Sequence, residues 1–194
     1  MEKQTRCPWA GDTPIYIEYH DKEWGRPVHD DTRLFEMLVL ESMQAGLSWI
    51  TVLKKREAFR EAFDGFDPNQ IALYGEEKIE ELMANEKIIR NRRKILAAVH
   101  NAGLFLNIQK EYGSFDQFIW AYVDGKPVTG HWEKIGDMPA NTPLSDRISR
   151  DLKKMGFQFL GTTILYSFLQ ATGIVNDHIK DCFVYQEIEN RVRD

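Results

Sequence analysis

Cysteine is scarce in this sequence: Cys7 and Cys182 are the only two in 194 residues. A secreted framework stapled by several disulfides is excluded, and in a reducing compartment two thiols are free or metal-bound. Long apolar runs are missing too. No stretch approaches the roughly 18 apolar residues of a transmembrane helix. The opening MEKQTRCPWAGDTP lacks the apolar segment of a signal peptide, so a cytoplasmic location is expected. Positive charge is in deficit, with 25 Lys and Arg against 30 Asp and Glu, a net charge of −5. Such a chain has no global attraction for nucleic acid. Alternating strand patterns, internal repeats and low-complexity tracts are absent as well. What remains is 43% hydrophobic and carries helical periodicity. It reads as all-α, with one domain spanning residues 1–194.

The stretch Glu41 to Arg56, ESMQAGLSWITVLKKR, organises the chain. Leu34, Met37 or Leu38, Glu41 and Ala45 follow the spacing of one helix face. A carboxylate in an apolar stripe is costly unless something pairs with it, and an arginine partner is the ordinary solution. Gly46 loosens the helix and Ser48 caps the next, which runs to about Phe63, with Trp49 at its start. Glu41, Gln44, a flexible glycine and a tryptophan therefore meet at a helix-to-helix corner.

Residues 7–27, CPWAGDTPIYIEYHDKEWGRP, hold Trp9, Tyr16, Tyr19, His20 and Trp24 among prolines and glycines. This density of rings predicts a structured loop that covers the core or lines a pocket for a flat ligand. Helices dominate from residue 30 onward, including a long one over Lys87–Lys110, and residues 126–143 form an irregular stretch. Basic residues cluster at Lys54–Arg56, at Arg90–Lys94 and at Arg147, Arg150, Lys153 and Lys154. Within residues 144–172, two helices are joined by Gly156-Phe-Gln-Phe-Leu-Gly161, a helix–hairpin–helix pattern. The N–H groups that open the second helix, at Gly161 and Thr162, can hold a phosphate without a cationic side chain.

His178 and Cys182 lie four residues apart, on one face of a helical turn, within the segment 173–185. Cys7 and His20 supply two further nitrogen and sulfur donors. The set suits tetrahedral Zn²⁺, and four protein ligands describe a structural ion rather than a catalytic one.

Several blocks together resemble the DNA-3-methyladenine glycosylase I family. They are Cys7-Pro-Trp9, Tyr16-Ile-Glu-Tyr19-His20-Asp-Lys-Glu-Trp24-Gly25, Leu34-Phe-Glu-Met37, Glu41–Arg56, Gly156–Thr163 and Val175-Asn-Asp-His178. The resemblance runs from Cys7 to about Tyr185. It implies a helix–hairpin–helix glycosylase fold with structural zinc at Cys7, His20, His178 and Cys182. It further implies excision of 3-methyladenine from alkylated double-stranded DNA by a monofunctional enzyme, with the free base as product; a monomer is the default expectation. Glu41, Tyr19 and Trp49 are then expected to contact the flipped base, with Trp9, Tyr16 and Trp24 nearby, and Glu41 to carry the catalytic role. Gln44 and Leu47 are expected to fill the gap left in the duplex, and Gly156, Gly161 and Thr162 to meet DNA. The wider superfamily places a catalytic aspartate where this chain reads Asn176, and an amide cannot act as that base. Two other readings stand beside this one. A catalytic zinc hydrolase would need an open metal position, and no H-E-x-x-H motif is present. A helix–hairpin–helix DNA-binding module would leave Glu41 and the rings unexplained.

Overall fold

Prolines and small polar caps decide where the helices begin. The computed structural model describes residues 4–44 and 46–193. In it Pro14, Pro68 and Pro143 each occupy a first helical turn, where the missing N–H has no partner to lose. Asp67, Asn91, Ser114 and Thr142 sit at N-caps and accept a backbone N–H from the turn they open. The helices are α1 (Pro14–Lys22), α2 (Asp31–Gln44), α3 (Trp49–Lys54), α4 (Arg56–Ala62), α5 (Pro68–Ile71) and α6 (Glu76–Ala84). They continue as α7 (Arg92–Tyr112), α8 (Phe115–Trp120), α9 (Pro143–Lys154), α10 (Thr162–Ala171) and α11 (Phe183–Arg193). None of them, among the described residues, is long and apolar enough to cross a membrane.

The fold is helical, as expected, with one small addition. Val128–Thr129 (β1) pairs in parallel with Val175–Asn176 (β2), Val128 opposite Val175 and Thr129 opposite Asn176. Strands this short carry no readable alternation. Three other expectations are corrected. The aromatic segment 7–27 has helix α1 at its centre, entered through a 3-10 turn over Pro8–Ala10. The helix expected over residues 48–63 breaks at Lys55 into α3 and α4. The long helix starts at Arg92 rather than Lys87, because Asn91 caps it there, and it runs on through Gly103.

Helix α2 lies at the centre, packed against α3, α7, α8 and α10. Every residue from Leu34 to Met43 is buried, so this helix is enclosed on all sides rather than along one stripe. Ala45, the end of the expected stripe, lies outside the described residues. Enclosure makes each polar group on α2 need a partner. Glu36 accepts from Arg56 at 2.6 Å and from Arg60 at 2.9 Å, and Arg56 also reaches Glu23 at 2.7 Å. Burial alone would raise Glu36, but the two guanidiniums overcome it and hold the carboxyl below its usual range. Lys94 is buried and donates its Nζ to the Met43 carbonyl at 2.9 Å, near the C-terminal end of α2.

These contacts correct the expectation of three surface basic clusters. Arg56 and Lys94 are internal, Lys55 binds the carbonyls of Glu86 and Lys87, and Arg92 pairs with Glu76 and Glu80. Only Arg147, Arg150, Lys153 and Lys154 on α9 stay fully exposed as a group.

Breaking the buried pair tests this arrangement. Glu36→Ala leaves the Arg56 guanidinium with Glu23 alone, and a loss of about 3 kcal/mol is expected. Urea denaturation at neutral pH measures it, and a loss under about 1 kcal/mol would mean the pair is dispensable.

Candidate active site and metal centre

Helix α1 sets Tyr16 and Tyr19 one turn apart, and the 3-10 turn before it brings Trp9 against them. The Trp9 ring meets Tyr16 edge-on at 5.3 Å and Trp24 at 4.9 Å between centroids. Tyr19 lies 5.5 Å from Trp49, the first residue of α3. With Glu41 from α2, these rings line a cavity of about 230 Å³. All six residues singled out in the sequence for base contact thus face one space. Four more complete the lining: Gln44, Met138, Ser167 and Gln170.

Glu41 is 4% exposed, and its Oε2 is buried without a hydrogen-bond partner. Burial pushes its pKa up to about 8. Glu36, five residues earlier on the same helix, is the carboxylate tied to arginine; Glu41 is not. The indole Nε1 of Trp49 is likewise buried and unpartnered. Burial raises the hydroxyl pKa of Tyr16 and of Tyr19, and the Glu41 carboxylate adds to both shifts. The wall therefore offers an unspent acceptor, an unspent donor and several π faces to a flat ligand.

Gln44 and Leu47 border a second depression with Gly46, Thr163, Ile164 and Ser167, which shares Glu41, Gln44 and Ser167 with the first. Leu47 is 42% exposed, an apolar side chain standing at the rim. Gly156, Gly161 and Thr162 lie apart from the cavity, at the turn between α9 and α10. Gly156 has φ +98°, while Gly161 has an ordinary backbone and open space where a Cβ would go. The Thr162 hydroxyl donates to Asp146 at 2.5 Å, so its side chain is already engaged. What the turn presents is backbone. Asn101 on α7 clamps it, bonding the carbonyl and the N–H of Gln158, each at 2.9 Å.

Cys7, His20, His178 and Cys182 are all buried, and their donor atoms lie within 4.8 Å of one another. Cys7 Sγ is 3.5 Å from His178 Nδ1, and Cys182 Sγ is 3.4 Å from both His20 Nε2 and His178 Nδ1. Tetrahedral zinc bonds of about 2.3 Å to sulfur and 2.0 Å to nitrogen give sulfur–nitrogen edges of about 3.5 Å. The other ring nitrogens are held as metal-binding histidines require. His20 Nδ1 meets Asp21 Oδ1 at 2.8 Å, and His178 Nε2 donates to the Trp24 carbonyl at 2.9 Å. Gly25, at φ +75°, makes the second contact possible, since a Cβ there would stand 2.8 Å from the His178 ring. The donor set and its surroundings fit a metal ion.

The model of the family described as methyladenine glycosylase matches residues 9–185. The DNA-3-methyladenine glycosylase of Haemophilus influenzae is 49% identical over 178 residues, covering 92% of this chain and 96% of that protein. DNA-3-methyladenine glycosylase 1 of Escherichia coli is 48% identical over 180 residues, covering 93% and 96%. A structure of 3-methyladenine DNA glycosylase I from Staphylococcus aureus, described for its recognition of 3-methyladenine, superposes with a TM-score of 0.88. It is 42% identical and covers 92% of this chain and 95% of its own. The chain belongs to the methyladenine glycosylase family.

Within this family member, Met138, Ser167 and Gln170 line the cavity without having been singled out in the sequence. Thr163, Ser167 and Gln170 fall at i, i+4 and i+7 of α10, a polar stripe along one face of the helix. Met138 belongs to the irregular 126–143 segment, where no period announces a facing residue. Asn176 is fully buried in β2 and accepts the His178 N–H at 3.3 Å.

The raised Glu41 pKa is also a statement about stability. The folded chain holds this proton up to about pH 8, whereas the unfolded chain gives it up near 4.5. Stability therefore falls as pH rises through that window, and the loss is complete above it. Glu41→Gln removes the ionisation. Without ligand, the variant should gain on wild type by roughly 1–3 kcal/mol between pH 5 and pH 8.5. Urea unfolding at the two pH values measures this, and an unchanged difference would contradict the burial argument.

Proposed function

We propose that this glycosylase draws an alkylated nucleotide out of double-stranded DNA and hydrolyses the N-glycosidic bond of 3-methyladenine, leaving the strand uncut. The observation that carries the reading is the buried, unpartnered Glu41 carboxyl in a ring-walled cavity. Methylation at N3 leaves the base cationic and already a good leaving group. Water attacks the sugar C1′, the base departs with the bonding electrons, and an abasic sugar remains. The site has to supply access and discrimination more than bond-breaking force.

Access means extruding the nucleotide, which costs a few kcal/mol of unstacking and less at a damaged base. Leu47, exposed at the rim, is suited to fill the vacated stack with Gln44 beside it. Discrimination follows from charge. The Glu41 proton is held in the ligand-free cavity because nothing offsets the buried anion. A cationic base with an exocyclic amine offsets it, so the proton leaves and a charge-assisted bond of about 1.5–3 kcal/mol forms. Neutral adenine brings no such compensation. The Trp49 face adds roughly 0.5–2 kcal/mol for a cation and less for a neutral ring. Tyr16 and Tyr19 line the same cavity with Trp9 and Trp24. In this reading Glu41 recognises the base and stabilises positive charge, and activation of water is secondary.

No lysine is among the described residues that line the cavity, which supports hydrolysis without a Schiff base. Zn²⁺ is the ion that two cysteines and two histidines suit best, held by Cys7, His20, His178 and Cys182. With four protein ligands it contributes folding energy by clipping the Trp9 segment to the start of α11.

Incubating purified protein with methylated duplex DNA and separating the released bases tests the reading. Wild type should release free 3-methyladenine, with kcat/KM lower by about 10–100-fold in Glu41→Ala, matching the lost charge-assisted bond. Folded, metal-loaded protein that releases no base would make it a DNA-binding module instead. Borohydride should trap no enzyme–DNA adduct. Metal analysis should find one ion per chain, and Cys182→Ser or chelation should lower Tm. An unchanged Tm would remove the structural metal from the account.

A further inference from the structure

Asp177 adjoins His178 in the chain and is 1% exposed, yet it is neither one of the four clustered ligands nor part of the cavity lining. Its two oxygens receive donors from two parts of the fold. Oδ1 accepts the Trp132 indole N–H at 2.6 Å. Oδ2 accepts the Gln170 amide at 2.7 Å, and the Tyr166 hydroxyl as well. Gly130 makes room for this: a Cβ there would fall 2.2 Å from Asp177 Oδ1 and 2.1 Å from Trp132 Nε1.

The chemical consequence lies in the amide. A free glutamine turns by 180° at little cost and presents either a donor or an acceptor. A carboxylate only accepts, so Gln170 must aim its nitrogen at Asp177, which leaves the carbonyl Oε1 as the other branch of the amide. Gln170 lines the base cavity.

Resting on the base-excision reading above, we propose that Asp177 is a positioning residue for base discrimination. By holding the Gln170 nitrogen it fixes Gln170 as an acceptor, which favours a base edge with an exocyclic amine over one with an exocyclic carbonyl. Adenine carries the amine at that position of its ring and guanine the carbonyl. The cavity therefore selects between two bases that bear the same methyl group and a similar positive charge, where neither Trp49 nor a charge argument distinguishes them.

The test measures kcat and KM for release of 3-methyladenine and of 3-methylguanine from duplex DNA, for wild type, Asp177→Asn, Gln170→Leu and the double variant, each with its metal content determined. Wild type should favour the adenine lesion. Asp177→Asn should lower the adenine-to-guanine ratio of kcat/KM by about tenfold, carried mainly by KM. Gln170→Leu should lower it to a similar extent, and adding Asp177→Asn to Gln170→Leu should change it by less than about twofold. A ratio unchanged in metal-loaded Asp177→Asn overturns the proposal, as do independent, multiplying effects in the double variant. Should Asp177→Asn lose its metal, metal-loaded Gln170→Leu decides: an unchanged ratio there overturns the proposal too. Wild type that releases neither base refutes the excision reading itself, a different result.

Discussion

A helix enclosed on every side offers a carboxylate two conditions, paired with a cation or held as the neutral acid, and α2 uses both. Glu36 takes the first, gripped by Arg56 and Arg60 from α4. Glu41 takes the second, with its proton retained up to about pH 8. The two are five residues apart, so the difference lies in what packs against each and not in the helix. Arginines converge on Glu36, and rings surround Glu41. Placing a cation near Glu41 would stabilise the fold and, on the proposed reading, spoil the site, because the pocket would lose its preference for a positive ligand. The unpaired state is therefore a cost carried by the folded chain, and the buried pairs on the same helix help to offset it.

The rings around Glu41 come from a part of the chain that does not hold itself in place. The 3-10 turn with Trp9 and the two-turn α1 are too short to be stable alone. The Cys7, His20, His178 and Cys182 cluster fastens both to the segment that leads into α11. Its outer contacts run straight into the cavity wall, since the His178 ring is oriented by the Trp24 carbonyl and Trp24 packs on Trp9. The four-residue Cys–His cluster and the ring-lined cavity thus share a wall, and Gly25 is the small residue that lets them approach. A cluster outside the cavity thereby bears on how closely the rings are set.

Much of this was legible in the chain. Cap residues marked some helix starts, Glu41 stood out against its apolar neighbours, and two Cys–His pairs offered a tetrahedral set. What was not legible depended on tertiary partners. The period of α2 read as one stripe because periodicity cannot tell a one-sided helix from one enclosed by four others. The prolines and glycines around α1 read as a loop, although Pro14 sits at the one place where a helix accepts it. Met138 reaches the cavity from a segment fixed by a two-residue strand pair and by Trp132 on Asp177, contacts that leave no trace in spacing. The basic clusters misled for the same reason: Arg56 and Lys94 look like surface charge until the acceptors that bury them are known.

That last correction bears on how an acidic protein meets DNA. With Arg56 and Lys94 internal, Lys55 bound to two carbonyls and Arg92 paired with Glu76 and Glu80, the cluster whose members are all exposed is the set on α9, directly before the turn into α10. The turn is clamped by Asn101 and by Ser149, which donates to the Leu160 carbonyl at 2.8 Å. It is therefore a rigid backbone surface with open space over Gly161. Backbone N–H groups bind phosphate at a fixed spacing and release fewer counterions than a lysine-rich face, so grip of this kind depends less on salt and more on register. Register is what a glycosylase requires. Leu47 and the cavity mouth stand on α2 and the loop after it, packed against α10, so on the proposed reading a backbone held at α10's start would fix where along the duplex they arrive. On that reading a net negative charge would work in the enzyme's favour, discouraging loose binding at undamaged sites while leaving the aligned contact intact.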